Sequence, residues 1–212
     1  MFSFPFSSLS NFDFHRELFD VSSIGVNVEI KKLFNASINK DLFTDLKFDY
    51  YTPAQLSSLH NKIHKNLKLS LFHVNIRSLN ANFDKLCSVI FCCSIKFDIL
   101  ILSELGTSNL PFYSNIFGSD YKFFFETPLN SKVGGVGIFV KSKLKPYVRN
   151  DLAPSNKSSA FESLWLEITV DNCKHFVAGF YRHPNTTISI FKDYLLMTLE
   201  KLKKQKARTV ND

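Results

Sequence analysis

Three apolar runs in the middle of the chain each close on polar residues: L-S-L-F-H-V-N-I-R at Leu69–Arg77, F-D-I-L-I-L-S-E at Phe97–Glu104, and the run His175–Tyr181, which continues into R-H-P-N. Short runs rich in Leu, Ile, Val and Phe predict buried strands. Between the first two, Phe83, Leu86, Ile90 and Cys93 recur at helical spacing behind Asn82 as a cap, so this part reads strand Leu69–Ile76, helix Phe83–Cys93, strand Asp98–Leu102. Further strands are expected at Tyr121–Glu126, Gly135–Val140, Phe161–Val170 and Lys174–Tyr181, with turn chemistry at Pro128–Ser131 and Gly134-Gly135 and a hairpin turn at Asp171-Asn172. A last helix from Thr187 to about Lys206 carries Ile188, Phe191, Leu195, Leu199 and Leu202 on one face, and its basic end, Lys203 to Arg208, suits the negative pole of the helix dipole.

The first 51 residues alternate Phe with polar residues without a sustained period and are expected to form a loosely ordered leader. Thr52 as cap and Pro53 in the first turn then predict a helical lead-in over residues 52–68, with Leu56, Leu59 and Ile63 as its stripe. His60 and His64 lie one turn apart there, but the zinc pattern H-E-x-x-H needs a Glu where Asn61 stands, so a solvated helix face is the better reading. The main domain is expected over residues 69–212.

Composition narrows the class only a little. The 212 residues, 45% hydrophobic with 23 Phe, suffice for one packed core. Twenty-six basic against 19 acidic residues give +7, which favours encounter with a polyanion without fixing an activity. The cysteines, Cys87, Cys92, Cys93 and Cys173, make no C-x-x-C pair and read as buried reduced thiols. No run approaches the roughly 20 apolar residues that span a bilayer, and the N-terminus lacks the basic start of a signal peptide. An intracellular protein, nuclear or cytoplasmic, with no membrane partner is expected.

The strand ends hold the candidate chemistry. In sheets with α/β connections, ligands bind at such ends, and an amide beside a carboxylate, Asn75 with Glu104, suits a hard divalent cation and a phosphate. From the residues alone the alternatives stay open: Asn75 as a turn residue, Glu104 as a capping or surface acid, Tyr181 as an aromatic covering the core, Arg77 as a phosphate contact or plain surface. His73 alternates onto the face of Asn75 and reads as a hydrogen-bonded core or supporting residue.

In order, H-V-N-I-R-S-L-N-A-N-F-D-K-L from His73, F-D-I-L-I-L-S-E from Phe97, G-G-V-G-I-F-V from Gly134, E-S-L-W-L-E-I from Glu162 and G-F-Y-R-H-P-N from Gly179 resemble the endonuclease/exonuclease/phosphatase superfamily. The branch they resemble is the apurinic-type endonuclease domain of non-LTR (LINE-type) retrotransposons, over roughly residues 69 to 206. The resemblance implies an α/β fold, a sandwich of two sheets with helices outside, here lacking later strands. It implies Mg²⁺ as cofactor, DNA as partner, and a reverse-transcriptase domain elsewhere in a longer polyprotein. It further implies that Glu104 is a metal ligand, that Asn75 orients metal and phosphate, and that Tyr181 donates to the phosphate. Arg77, Arg182 and His183 are candidate substrate contacts, while His183 and Asn185 also read as shaping the turn before the last helix, with Pro184 holding His183 extended. Ser163 and Trp165 fall in a block read as structural.

Two departures bear on activity. Ser103-Glu104-Leu105-Gly106 stands where the family carries T-E-T-W, and the later G-D-x-N and S-D-H motifs do not occur in the 212 residues. Asp171-Asn172 and Ser119-Asp120 have the wrong context to replace them. The leading expectation is therefore a fragment of a Mg²⁺-dependent DNA-nicking endonuclease, inactive alone. The alternatives are a non-enzymatic remnant or nucleic-acid-binding module that keeps the fold, and, third, another phosphoesterase of the superfamily.

Overall fold

In the computed structural model, residues 69–92, 96–107, 109–128, 133–154 and 159–209 are described, together with Ser58. The leader over residues 1–51, the Thr52-Pro53 helix start, His60, His64 and Cys93 lie outside the described residues.

Among the described residues seven strands make two sheets: β1 Leu71–Asn75, β2 Ile99–Ser103, β3 Tyr121–Glu126, β4 Val136–Lys141, β5 Tyr147–Val148, β6 Phe161–Val170 and β7 Cys173–Arg182. The first sheet has the order β1-β2-β4-β3, with β1 and β2 parallel and the other pairs antiparallel; the second is the antiparallel β5-β6-β7. A parallel pair needs a crossover, and helix α1, Leu79–Cys92, supplies it. Helix α2, Ile188–Thr209, follows β7. This is the mixed α/β, two-sheet class expected from the sequence.

The core lies between the inner sheet faces, where Ile99, Ile101, Val136, Ile138 and Val140 of the first sheet meet Leu164, Leu166, Ile168, Val170, Val177 and Tyr181 of the second. β2 is buried at all five positions, which explains its unbroken apolar run. On the far side of the first sheet, Phe123 stacks on Phe139 at 4.0 Å between centroids, and Phe117 meets Phe139 edge-on at 4.9 Å. Over the second sheet, the Tyr194 hydroxyl accepts from Trp165 Nε1 (2.8 Å), bonds Ser163 Oγ (2.9 Å) and donates to the Leu152 carbonyl (2.7 Å). Phe191 packs against Phe161 and Phe180. Asp171 and Asn172, with φ of 49° and 62°, close the β6–β7 hairpin directly between the paired Val170 and Cys173, and positive φ at both central residues is the two-residue geometry that matches strand twist.

Several expectations shift. α1 begins at Leu79 rather than Phe83: the Ser78 hydroxyl accepts from the Ala81 N–H (3.4 Å), while Asn82, inside the first turn, donates its amide to the carbonyls of Ile76 (2.9 Å) and Arg77 (3.1 Å). The face of α2 turned to the sheet includes Tyr194 and Thr198, whereas Ile188 is 38% exposed at the helix start. Cys92 and Cys173 are exposed and Cys87 is half-buried, so the buried-thiol reading fails for the two outer ones. Each lies at the end of its element, where packing stops. His73 is exposed on β1, the edge strand of its sheet, not in the core. The short β5 has no pattern long enough to read.

Candidate functional site

β1 and β2 run in register so that Asn75 pairs with Ser103, and the chain beyond each strand is held by its neighbour. The Ile76 N–H donates to the Ser103 carbonyl (2.9 Å), Ser78 N–H to Glu104 (2.8 Å) and Leu79 N–H to Leu105 (2.8 Å), so the first turn of α1 is fastened to the segment leaving β2. Glu104 lies in that segment in the left-handed region, φ 59°. A side chain leaving a strand in this conformation turns out of the sheet's alternation, and the Asn75 amide meets it: Asn75 Nδ2 donates to Glu104 Oε1 at 2.8 Å, across 29 residues. Asn75 Oδ1 in turn accepts from the Arg77 N–H at 3.2 Å. This leaves Glu104 Oε2 on a half-buried side chain with no protein partner among the described residues.

β7 brings the second sheet to the same edge. Tyr181, on its inner face, is 7% exposed. Burial first, then the negative charges of Glu104 and Glu162, push its phenol above the ordinary tyrosine value, so it stays protonated and able to donate. Just past the strand, His183 sets its ring edge-on to the Tyr181 ring, with centroids 5.0 Å apart. Its Nε2 bonds Glu162 Oε1 at 3.0 Å. Glu162 opposes Tyr181 across the β6–β7 ladder and is 5% exposed. Gly134, with φ 94°, lies flat against that carboxylate: a Cβ there would stand 2.9 Å from both oxygens. The Gly134 carbonyl accepts from the Gly106 N–H (2.9 Å), two residues past Glu104.

The residues singled out from sequence thus fall into two groups. Asn75 and Glu104 are in direct contact, and Tyr181 feels the charge of Glu104. Arg77 is exposed at the start of α1 beside Asn75. Arg182 alternates to the face opposite Tyr181, and its guanidinium donates to the carbonyls of His183 (3.1 Å), Pro184 (3.4 Å) and Thr186 (3.1 Å), organising the turn into α2. Glu162 was passed over as part of a structural block. Its signal was the alternation Glu162, Leu164, Leu166, Ile168, Val170, which puts a carboxylate on the apolar face of β6.

No group of three or more His, Cys, Asp or Glu able to hold a metal occurs among the described residues. Glu104 with Asn75 nonetheless fits Mg²⁺, which takes one or two carboxylates and completes its octahedron with water and phosphate oxygens.

No protein-family model matches the chain, and no curated protein matches it in sequence. Solved structures do resemble it. The human Nocturnin catalytic domain with bound sulfate matches at 14% identity over 64% of this chain and 59% of that one, TM-score 0.46. D. rerio TDP2 complexed with a single-strand DNA product matches at 17% over 64% and 54%, TM-score 0.47. The endonuclease domain of TRAS1, a telomere-specific non-LTR retrotransposon, matches at 12% over 65% and 54%, TM-score 0.44. The chain spans somewhat over half the length of each, and these neighbours are endonuclease/exonuclease/phosphatase-type enzymes. Likeness of this degree concerns the course of the backbone alone.

Proposed function

We propose that this chain is part of a Mg²⁺-dependent phosphodiesterase acting on DNA, of the kind that non-LTR retrotransposons use to nick their target. The observation that carries the reading is the 2.8 Å contact between Asn75 and Glu104 at the paired ends of β1 and β2, with the Tyr181 phenol turned to the same edge. Mg²⁺, when bound, supplies charge to a phosphate and a polarised water. Glu104 Oε2 would hold the ion, and Asn75, which fixes the carboxylate, would face the phosphate. Tyr181 donates a hydrogen bond as charge builds on a phosphate oxygen, without competing as a base. Arg77 contributes positive charge at the rim. A reverse-transcriptase domain in a longer polyprotein and intracellular residence, nuclear or cytoplasmic, belong to the same reading.

The 212 residues hold no pair equivalent to G-D-x-N and S-D-H to orient and deprotonate water. Absence of a general base alone costs roughly 10²–10⁴ in rate. The chain by itself is therefore a DNA-binding portion without turnover. Supercoiled plasmid in Mg²⁺ is the test, with this chain, a version extended through both motifs, and the extended version carrying Glu104→Ala. Nicking by the extended form that Glu104→Ala abolishes supports the reading. Extended protein that nicks equally well with Glu104→Ala ends it.

A further inference from the structure

Glu162 is a carboxylate almost wholly removed from water that none of the roles above uses. Burial of an ionisable group without partners is costly, and the fold surrounds this one closely. Its Oε1 lies 3.0 Å from His183 Nε2, and the bare Cα of Gly134 occupies the space where any side chain would strike its oxygens. His183 is fixed from three sides. Its N–H donates to the Ala160 carbonyl at 2.9 Å, its own carbonyl accepts from the Thr186 N–H at 3.1 Å, and its ring stands edge-on to Tyr181. With Nε2 turned to Glu162, the ring nitrogen left over is Nδ1, which has no partner among the described residues.

Resting on the phosphodiesterase reading, we propose that Glu162 is a positioning residue: it locks the His183 ring beside Tyr181 so that, as the imidazolium, His183 offers Nδ1–H as a second donor to a DNA phosphate. Glu162 touches no substrate. A carboxylate accepting from Nε2–H fixes the ring orientation, and Nδ1 then has a proton to donate only in the imidazolium form. The phenol and the imidazole then form a preset pair at one strand end, and the rotamer freedom that His183 would otherwise lose on binding is already gone.

The test uses the full chain and a fluorescein-labelled 20-base-pair DNA duplex, followed by anisotropy at fixed pH and salt. A charge-assisted hydrogen bond to phosphate corresponds to about tenfold in affinity. His183→Gln should weaken binding by about that factor, and Glu162→Ala by the same factor although it lies behind the ring. Glu162→Gln, whose amide oxygen still accepts from Nε2–H, should bind within about threefold of the parent. In the His183→Gln background, Glu162→Ala should have no further effect, because it acts only through the imidazole. Circular dichroism melts identify any variant whose loss is unfolding, and Glu162→Gln carries the comparison if Glu162→Ala fails to fold. Independent, additive losses in the double variant, or parent-like binding by Glu162→Ala, overturn the proposal. A parent chain that shows no salt-sensitive binding overturns the phosphate reading itself, a different failure from parent binding that ignores Glu162.

Discussion

Gly179 of β7 lies so close to Val136 of β4 that a Cβ on the glycine would stand 2.5 Å from Val136 Cγ1 and 3.1 Å from Ile101 Cγ2. The two sheets approach tightly here, two residues before Tyr181 on the same inner face, so this contact bears on how near the phenol comes to Glu104. Gly179→Val must part the sheets. Overpacking of this kind costs about 1–3 kcal/mol, read as a lower urea midpoint. The Tyr181 phenol, opened to water and drawn from Glu104, should titrate at lower pH, followed by NMR of ¹³Cζ-labelled tyrosine. An unchanged midpoint with an unchanged Tyr181 titration would mean that the sheets are not held at this distance.

Tyr194 joins α2 to the second sheet through one oxygen. Tyr194→Phe keeps the ring against Phe161 (4.7 Å) but strips the partner from the indole N–H of the buried Trp165. An unsatisfied buried donor costs about 1–3 kcal/mol. Trp165 is the one tryptophan in the chain, so its fluorescence reports the unfolding directly.

Acid should loosen the outer face of the second sheet. The Arg149 guanidinium binds both Asp151 oxygens at 2.8 Å and also Glu167 at 2.8 Å, and its hydrogen bonds pull the Asp151 carboxyl from 3.8 down to about 2. A carboxyl depressed in the folded state stabilises it above the unfolded value, and that contribution fades as pH falls from about 3.8 toward about 2. Asp151→Asn should therefore be less stable than the parent at pH 6 and converge on it near pH 2. A constant difference across that window, measured by urea titration, would contradict this.

Thiol reactivity should sort by location. Cys92 and Cys173 are exposed, whereas burial and the nearby Asp84 charge push the Cys87 thiol up to about 11. Since the thiolate is the nucleophile, alkylation at pH 8 resolved by peptide mass spectrometry should modify Cys92 and Cys173 well before Cys87. Equal rates at all three would mean that α1 opens readily.

What the sequence disclosed and what it hid follow from different physics. β3 and β6 begin and end with their runs of aromatic and apolar residues, and Asp171-Asn172 announced its turn, because strand propensity and left-handed turns are local properties. The start of α1 was misplaced by four residues because Asn82 looked like a cap while its amide reaches back to loop carbonyls that only the folded β1–β2 pair presents. The meeting of Asn75 and Glu104 was expected from strand ends together with the family resemblance. The alternation of β6 marks Glu162 as an inward carboxylate but not its partner, because His183 lies just past β7 on the far side of the hairpin, beyond any local pattern.

Glu104 takes a backbone conformation that costs an ordinary residue roughly 1–2 kcal/mol, and three carbonyl contacts from Ile76, Ser78 and Leu79 keep its segment there. None of those donors is in place until β1 has found β2 and the first turn of α1 has wound. The acid therefore acquires its position only once β1, β2 and the first turn of α1 are joined. Slow exchange of these three amide protons marks molecules in which the edge is built, and rapid exchange would show the acid released while most of the sandwich still stands.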